Sequence, residues 1–287
     1  MNLVLGTRGS KLALAQSTQV AKQIEALDEV SVELRVISTK GDRITDRPLR
    51  EVGGKGLFTA ELEAALRDGS IHLAVHSLKD LPTEDAEGLI IGAVPRRADV
   101  RDVLVGTPLD ELPQGARVGT GSARRKVQLL ALRPDLSVEG IRGNVDTRMA
   151  KALEGPLDAV VLAEAGLARL GVDVERHPLD PERCVPAPGQ GALGVQCASS
   201  NARVRALLRQ IEHAPTRICV TAERSFLARL GGGCSVPAGA HAQLVKGRLK
   251  LRCMLADAQG TPRVVEVDGG PEDAELLGRQ AAELLLG

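Results

Sequence analysis

The stretch Leu5-Gly6-Thr7-Arg8-Gly9-Ser10 ends a short apolar run, and Val118-Gly119-Thr120-Gly121-Ser122 repeats its pattern later in the chain. Each stretch leads into a segment whose apolar residues recur at helical spacing. After the first helical segment, Val32-Glu33-Leu34-Arg35-Val36-Ile37 alternates between apolar and polar residues, as a strand does. Strand, helix and strand in this order predict the opening of a parallel α/β sheet.

A second pair of stretches supports an internal repeat. Gly69–Val75 resembles Gly155–Val161, and each follows its glycine junction in the same order. We therefore predict two related α/β lobes with a ligand between them, because ligands of open α/β sheets lie at the carboxyl ends of strands. Two unrelated glycine turns remain the alternative, since similarities this short also arise by chance.

Arginine dominates the basic residues and gathers at the glycine junctions. Of the 37 basic side chains, 28 are arginine, and the clearest clusters contain Arg8, Arg124 with Arg125, and Arg142 with Arg148. A guanidinium binds carboxylate or phosphate through two parallel hydrogen bonds, and glycine lets the backbone approach an anion. The pattern predicts a polyanionic ligand. For Arg124 and Arg125, the alternative is that they are solvated helix residues.

Composition excludes several kinds of partner. The formal net charge is zero, so no overall field attracts DNA or a membrane. The chain of 287 residues has no Trp or Tyr and two Phe, which argues against stacking on single-stranded nucleic acid. Five cysteines without a C-x-x-C pair favour neither a disulfide framework nor a zinc site, and we expect no metal. With no signal peptide or membrane-spanning run in the sequence, we predict a cytoplasmic protein.

Two stretches have residue types suited to chemistry. His76-Ser77-Leu78-Lys79-Asp80-Leu81-Pro82 follows a predicted strand, Ile71–Val75, and a carboxylate at a strand end can act as an acid or stabilise a cation. A polar turn is the alternative. Cys234 follows three glycines, so its thiol is a candidate nucleophile or attachment point. The other four cysteines lie among apolar residues and are predicted to be buried.

Loops and turns indicate a lid and a third domain. Lys40–Gly56 is rich in Gly, Arg and Asp and is predicted to be a lid over the site, with an inert surface loop as the alternative. After Pro215 we predict a helix, a hairpin turning at Lys246-Gly247, a further strand and a final helix from Pro271. This pattern indicates a small α+β domain.

Seven stretches, in order over nearly the whole chain, resemble the porphobilinogen deaminase (hydroxymethylbilane synthase) family. They are Thr7–Gln16, Gly53–Phe58, His76–Pro82, Gly119–Arg125, Arg142–Arg148, Pro188–Ala192 and Gly232–Pro237. Gly194–Ala198 departs from the family pattern because it lacks the acidic and basic residues common there.

The resemblance implies an α/β fold with two lobes like those of periplasmic solute-binding proteins, with mixed, mainly parallel sheets, and a small C-terminal α+β domain. The implied boundaries are 1–97 with 193–212 for the first domain, 98–192 for the second and 213–287 for the third. The chain would cross between the lobes near Pro95–Val100 and near Pro188–Val195, and two crossings form a hinge. The implied oligomeric state is a monomer.

The resemblance also implies the chemistry. A dipyrromethane cofactor would be attached to Cys234 by a thioether, and four porphobilinogen molecules would be joined head to tail, with loss of ammonia, into hydroxymethylbilane. This is a transferase reaction of tetrapyrrole and heme biosynthesis. Each pyrrole carries an acetate and a propionate, so the growing chain is a polyanion, which agrees with the arginine clusters.

Site residues follow by motif match. Asp80 would steer protonation of the leaving amine and stabilise the cationic azafulvene that follows, an effect worth about 10²–10⁴-fold. The implied catalytic residues are Asp80, Lys79 and Arg8. The implied cofactor-binding residues are Cys234, Ser10, Lys79, Asp80, Thr120, Ser122, Arg124, Arg125, Arg142 and Gly143. The implied substrate-binding residues are Arg8, Gln16, Ser77, Arg142, Arg148 and Arg169. Phe58 would follow the lid.

Two other hypotheses stay open at this point. A non-enzymatic, two-lobed binder of a small anion agrees with the internal repeat but leaves Cys234 and the third domain unexplained. Nucleic-acid binding through arginine conflicts with the zero net charge and the missing stacking residues.

Overall fold

The computed structural model describes residues 1–27, 29–43, 59–231 and 236–287. The chain divides into two compact units. Unit 1 comprises Met1–Arg97 and Ala192–Arg217, and unit 2 comprises Ala98–Gly191 and Ile218–Gly287. The predicted division into three domains stays a prediction, because unit 2 contains both the second lobe and the C-terminal segment.

Unit 1 is built on a five-stranded sheet. Its strands are β1 (Asn2–Thr7), β2 (Ser31–Val36), β3 (Leu73–Ser77), β4 (Leu89–Ala93) and β10 (Leu193–Ala198). Its helices are α1 (Lys11–Glu25), α2 (Lys40–Arg43), α3 (Ala60–Arg67) and α7 (Ala202–Leu208). The strand order is β2-β1-β3-β10-β4; β1 pairs in parallel with β2 and β3, and β10 runs antiparallel to both of its neighbours.

Unit 2 contains a second five-stranded sheet with the same plan. Its strands are β5 (Asp102–Gly106), β6 (Arg117–Gly119), β7 (Ser137–Glu139), β8 (Ala159–Ala163) and β9 (Arg176–Pro178). Its helices are α4 (Ala123–Leu132), α5 (Val145–Leu153) and α6 (Glu164–Leu170). The order is β7-β6-β8-β5-β9, with β6 parallel to β7 and β8 and with β5 antiparallel to its neighbours. The predicted internal repeat and the α/β fold with mainly parallel sheets are confirmed.

Apolar side chains of the unit 2 strands point alternately to the two faces of this sheet, and both faces are buried. Leu104 and Val161 belong to one buried cluster, whereas Val103 and Val160 belong to another. Successive strand residues point to opposite faces, so two apolar clusters require cover on both sides. Short apolar runs, rather than a polar–apolar alternation, are the expected sequence signature of such strands.

The C-terminal segment forms an antiparallel sheet that packs against helices. Its elements are α8 (Ala214–Arg229), β11 (Ala238–Val245), β12 (Arg248–Ala256), β13 (Pro262–Gly269) and α9 (Ala274–Leu286). Lys246 and Gly247 connect β11 to β12 with φ angles of 50° and 79°, and tight two-residue hairpins favour such positive values. The predicted hairpin is confirmed. Phe226 of α8 is fully buried in the apolar cluster of this sheet.

A buried carboxylate joins this sheet to the turn that precedes β10. Glu223 of α8 accepts hydrogen bonds from the backbone N–H of Gly189 (2.7 Å) and of Ala242 in β11 (2.8 Å). Nearby, the N–H of Ala240 donates to the carbonyl of Pro186 at 2.9 Å. These bonds satisfy backbone groups that have lost access to water, and they fix the position of the turn.

We expect Glu223→Gln to lower the free energy of unfolding of unit 2 by about 1.5–3 kcal/mol, because an amide can accept only one of the two hydrogen bonds. Denaturation followed by far-UV circular dichroism measures this loss. Glu175→Gln, in an exposed segment of the same unit, should change stability by less than about 0.5 kcal/mol. Equal stability of both variants would contradict the bridging role of Glu223.

Candidate functional site

In unit 1, the first glycine junction begins α1 directly after β1. The Ser10 hydroxyl caps the helix by accepting from the N–H of Ala13 at 3.3 Å. Buried Thr7 accepts a hydrogen bond from the Ser17 hydroxyl at 2.8 Å, which fixes the end of the strand. The first N–H groups of α1 and its partial positive charge therefore lie beside half-buried Arg8.

The second predicted strand end lies at the same edge of this sheet, because β3 is parallel to β1. Buried Gln16 of α1 joins the two ends by donating to the Ser77 hydroxyl at 2.8 Å. Asp80 is exposed and Lys79 half-buried in the single 3₁₀ turn Leu78–Asp80 that follows. The structure thus brings the predicted unit 1 residues to one sheet edge.

The predicted bounds of this strand, Ile71–Val75, were too early. The strand runs from Leu73 to Ser77, so His76 lies inside it rather than after it. His76 is buried, and its Nε2 lies 3.2 Å from Oε1 of Gln196 in β10. Sequence reasoning missed Gln196, because the pairing of β3 with β10 joins distant parts of the chain.

In unit 2, the second glycine junction repeats this geometry. Ser122 caps α4 by accepting from the N–H of Arg125 at 3.4 Å, and its own N–H donates to the hydroxyl of buried Thr120 at 3.2 Å. A Cβ on Gly121 would lie 2.8 Å from the carbonyl oxygen of Ile141, so only glycine fits there without a shift. The close backbone approach explains the glycine of the motif.

Arg124 and Arg125 are buried and share one carboxylate. Nη2 of each guanidinium lies 2.7 Å from a different oxygen of Asp102, which is fully buried. The remaining Nη1 atoms donate to the carbonyls of Val185 (2.6 Å) and Val161 (2.9 Å). The interpretation of both arginines as solvated helix residues is therefore wrong.

Electrostatics keep Asp102 ionised despite its burial. Burial alone would raise the pKa of this carboxyl, but the two guanidiniums and a hydrogen bond from Gln190 hold the pKa well below its usual range. Asp102 was missed by sequence reasoning. Its one local signal is an acid at the start of the apolar run Val103–Val105, and it faces the arginines only because β5 runs antiparallel to β8.

The third arginine cluster follows β7 at the same edge of the sheet. Gly143 has a φ of 115°, a conformation that glycine adopts readily. Its carbonyl accepts a hydrogen bond from Nε of Arg148 at 2.8 Å, and Arg142 beside it is half-buried. Helix α5 begins just beyond, at Val145.

Arg169 lies in α6, which follows β8. Its Nη2 donates to the carbonyl of Gly191 at 2.7 Å, and its buried Nε has no hydrogen-bond partner among the residues that the structure describes. Burial lowers the pKa of this guanidinium to about 10, so it remains cationic at neutral pH. Among the described residues this half-buried cation is bonded to a carbonyl rather than to an acid, which suits it to an anionic ligand.

Several predicted features lie outside the described residues. These are Cys234, Phe58 and most of the predicted lid, Lys40–Gly56, of which Lys40–Arg43 forms α2. The other cysteines were predicted to be buried, and this is confirmed for Cys184, Cys197, Cys219 and Cys253. Burial raises the pKa of Cys184 and Cys197 to about 11, so these thiols are poor nucleophiles.

Within residues 1–27, 29–43, 59–231 and 236–287, no helix combines the length and apolar character that crossing a membrane requires. Those ranges also hold no cluster of three His, Cys, Asp or Glu side chains placed to bind a metal ion.

Comparison with known proteins identifies the family. The model of the porphobilinogen deaminase dipyrromethane cofactor-binding domain matches residues 3–206, and the model of the porphobilinogen deaminase C-terminal domain matches residues 217–287. Together the two models span most of the chain. The protein belongs to the porphobilinogen deaminase family.

Curated relatives agree over nearly full length. Porphobilinogen deaminase of Nitratidesulfovibrio vulgaris is 48% identical over 294 residues, covering 99% of this chain and 93% of the relative. That of Brevibacillus brevis is 49% identical over 288 residues, covering 98% and 93%. Among solved structures, the periplasmic aliphatic sulphonate binding protein of Escherichia coli has a TM-score of 0.41 and 12% identity, covering 80% of this chain and 70% of that one.

The burial of His76 predicts how the stability of the protein depends on pH. Burial, opposed by the hydrogen bond with Gln196 and reinforced by the charge of Arg8, lowers its pKa from 6.5 to about 4. The folded protein therefore keeps the ring neutral while the unfolded chain takes up a proton, so the contribution to stability is lost as pH falls from 6.5 to about 4.

We expect the wild type to lose stability over this window more steeply than His76→Gln, by at most about 1.4 kcal/mol per pH unit. Urea denaturation at a series of pH values measures both slopes. Above neutral pH, the difference in stability between the two proteins should be constant. Parallel curves throughout the acid window would show that His76 does not titrate as described.

Proposed function

We propose that this protein is a hydroxymethylbilane synthase, a transferase of tetrapyrrole biosynthesis. It joins four porphobilinogen molecules head to tail, releasing ammonia at each addition, and liberates hydroxymethylbilane by hydrolysis. The observation that carries the proposal is the match of both family models, in order, along the chain. The anion-binding geometry at the two sheet edges supports it independently.

The family implies a covalently attached dipyrromethane, and the charges of unit 2 fit such a group. Arg124 and Arg125 provide two buried cations for the single charge of Asp102. One positive charge therefore remains in a buried environment, and Nε of Arg125 is buried without a hydrogen-bond partner in the described residues. An acidic side group of the cofactor would compensate that charge.

Neighbouring residues would extend this binding surface. Arg142 and Arg169 follow the carboxyl ends of β7 and β8, at the edge where Ser122 caps α4 and Thr120 accepts from the N–H of Ser122. We assign Arg142, Gly143 and the Thr120–Ser122 junction to the cofactor, and Arg142, Arg148 and Arg169 to the acetate and propionate groups of substrate. Arginine suits this task because its fork matches a carboxylate.

Cys234 is the proposed point of attachment through a thioether. When bound, the dipyrromethane supplies the terminal pyrrole carbon to which the first substrate unit is joined. The protein's own contribution at the thiol is selectivity, because the four other cysteines are buried. A buried, uncharged thiol reacts slowly, whereas a thiol after three glycines has little steric cover.

The edge of unit 1 would manage the positive charge on the reacting substrate. Asp80 is exposed at the end of β3, next to Lys79, and Ser77 is held by Gln16. A carboxylate that faces a developing cation lowers its energy, and it can also direct a proton to the departing amine. We assign catalysis to Asp80, Lys79 and Arg8, cofactor contacts to Ser10, Lys79 and Asp80, and substrate contacts to Arg8, Gln16 and Ser77.

We further propose that the protein works as a monomer in the cytoplasm and binds no nucleic acid. The zero net charge and the absence of Trp and Tyr from the sequence support the last point. The native mass of the purified protein tests the monomer, and a dimer mass would contradict it.

The attachment predicts a change in mass. We expect the purified wild type to exceed its sequence mass by two condensed pyrrole units, and Cys234→Ser to lose that excess, because the substitution removes the thioether sulfur. Intact-protein mass spectrometry measures both. Cys219→Ser, a buried cysteine in the same unit, is the matched control and should retain the excess.

A wild type of bare sequence mass that stays inactive after preincubation with porphobilinogen would overturn the proposed function. Retention of the excess in Cys234→Ser would overturn only the attachment site.

Substitution of Arg169 is expected to lower activity without lowering stability. Arg169→Met removes a desolvated cation without a described acid partner, so we expect little change in thermal stability. Its kcat/KM should fall roughly 10–100-fold, because one charge-assisted hydrogen bond to substrate is worth about 1.5–3 kcal/mol.

Arg133→Met is the control, and the opposite result is expected of it. Arg133 pairs with Asp135 at 2.8 Å and donates to the carbonyls of Leu109 and Leu112, so its loss should lower stability but preserve kcat/KM per folded molecule. If Arg169→Met were destabilised but fully active, the role of Arg169 would be structural and its assignment to substrate would be wrong.

A further inference from the structure

Asp102 is an ionised, fully buried acid that takes no part in the proposed reaction. We propose that Asp102 is a positioning residue, which holds Arg124 and Arg125 in the orientation that binds the cofactor's carboxylates, with Gln190 as its third donor. This inference rests on the proposed function, because it takes these two arginines to be cofactor contacts.

The contacts of Asp102 define both guanidiniums. Oδ2 faces Nη2 of Arg124 and Oδ1 faces Nη2 of Arg125, each at 2.7 Å. A carbonyl then fixes the Nη1 of each arginine, at Val185 and Val161 respectively. Two anchored nitrogens determine the plane of a guanidinium, so the direction of its remaining N–H groups is set before any ligand arrives.

Gln190 completes the arrangement from the turn that Glu223 holds. Its Nε2 donates to Oδ1 of Asp102 at 2.8 Å and to the carbonyl of Val100 at 2.7 Å. Asp102 thus accepts hydrogen bonds from Arg125 and Gln190, is ion-paired with Arg124, and has the Cys184 thiol 4.0 Å from its Oδ2 as a weaker donor. A buried acid with this many donors is rigid, which is the property required of a group that orients others.

The imbalance of charge distinguishes positioning from simple stabilisation. Replacing a buried ion pair with apolar residues is often neutral or stabilising, so stability alone is a weak reason to retain one. Here two cations meet one acid, and Nε of Arg125 is left without a partner among described residues. Such a cluster is incomplete until another anion joins it, and preorganised donors bind that anion with less loss of entropy.

The test measures how much the cofactor stabilises the protein. We define the increment as the difference in Tm between the protein that carries the cofactor and the Cys234→Ser protein, which cannot attach it. This difference is measured once with Asp102 intact and once in the Asp102→Asn background. Asn has nearly the shape of Asp but removes the charge that holds the arginines. Intact mass confirms the loading of each sample, so the readout does not depend on activity.

We expect Asp102→Asn to lower the Tm of both forms and to reduce the increment to less than half of its original value. A folded Asp102→Asn protein without the mass excess supports the proposal equally, provided that the matched control loads. That control is Asp135→Asn, which weakens another acid–arginine pair of unit 2 and should preserve the full increment. An unchanged increment in loaded Asp102→Asn would overturn the proposal and make Asp102 purely structural.

Gln190→Met provides a milder variant if Asp102→Asn does not fold. It leaves the carboxylate in place and removes one donor, so the increment should fall by a smaller amount, and an unchanged increment would again overturn the proposal. Failure of the proposed function is distinguishable, because the protein with Asp102 intact would then show neither a mass excess nor an increment.

Discussion

The shared carboxylate of Asp102 is the constraint on which the second unit depends. A buried anion requires compensation, and the structure provides it with two guanidiniums and an amide. The donors come from α4 and from the turn before β10, so both must meet the start of β5, which holds Asp102, at the carboxyl edge of β8. The fold places them there because β5 runs antiparallel, so that its first residue lies beside Ala163, the last residue of β8.

The two sheets share a strand order but differ at this point. The antiparallel strand of unit 2 begins with Asp102, whereas its counterpart in unit 1 begins with Leu193, which pairs with Ser77. The edge of unit 2 therefore carries arginines with partial internal compensation, and the edge of unit 1 presents an exposed acid, Asp80. On the proposed function, duplication of one scaffold has given one edge for binding the polyanion and another for managing positive charge on substrate.

Local features of the fold were predictable from the sequence, and non-local ones were not. The hairpin at Lys246-Gly247, the two glycine junctions and the burial of four cysteines follow from residues that are neighbours in the chain. The burial of His76 depends on Gln196, and the partners of Arg124 and Arg125 depend on the direction of β5. Charge patterning revealed the arginines but could not reveal the acid that compensates them, because a sheet brings distant residues together only after its strand order is fixed.

The position of β10 also determines the order in which the sheets can be completed. It lies between β3 and β4, yet its residues follow every strand of the second five-stranded sheet in the chain. A nascent polypeptide leaving the ribosome therefore contains the whole second sheet before the first can close. Until Leu193–Ala198 emerges, β3 and β4 have unpaired edges, which is the kind of surface that chaperones shield.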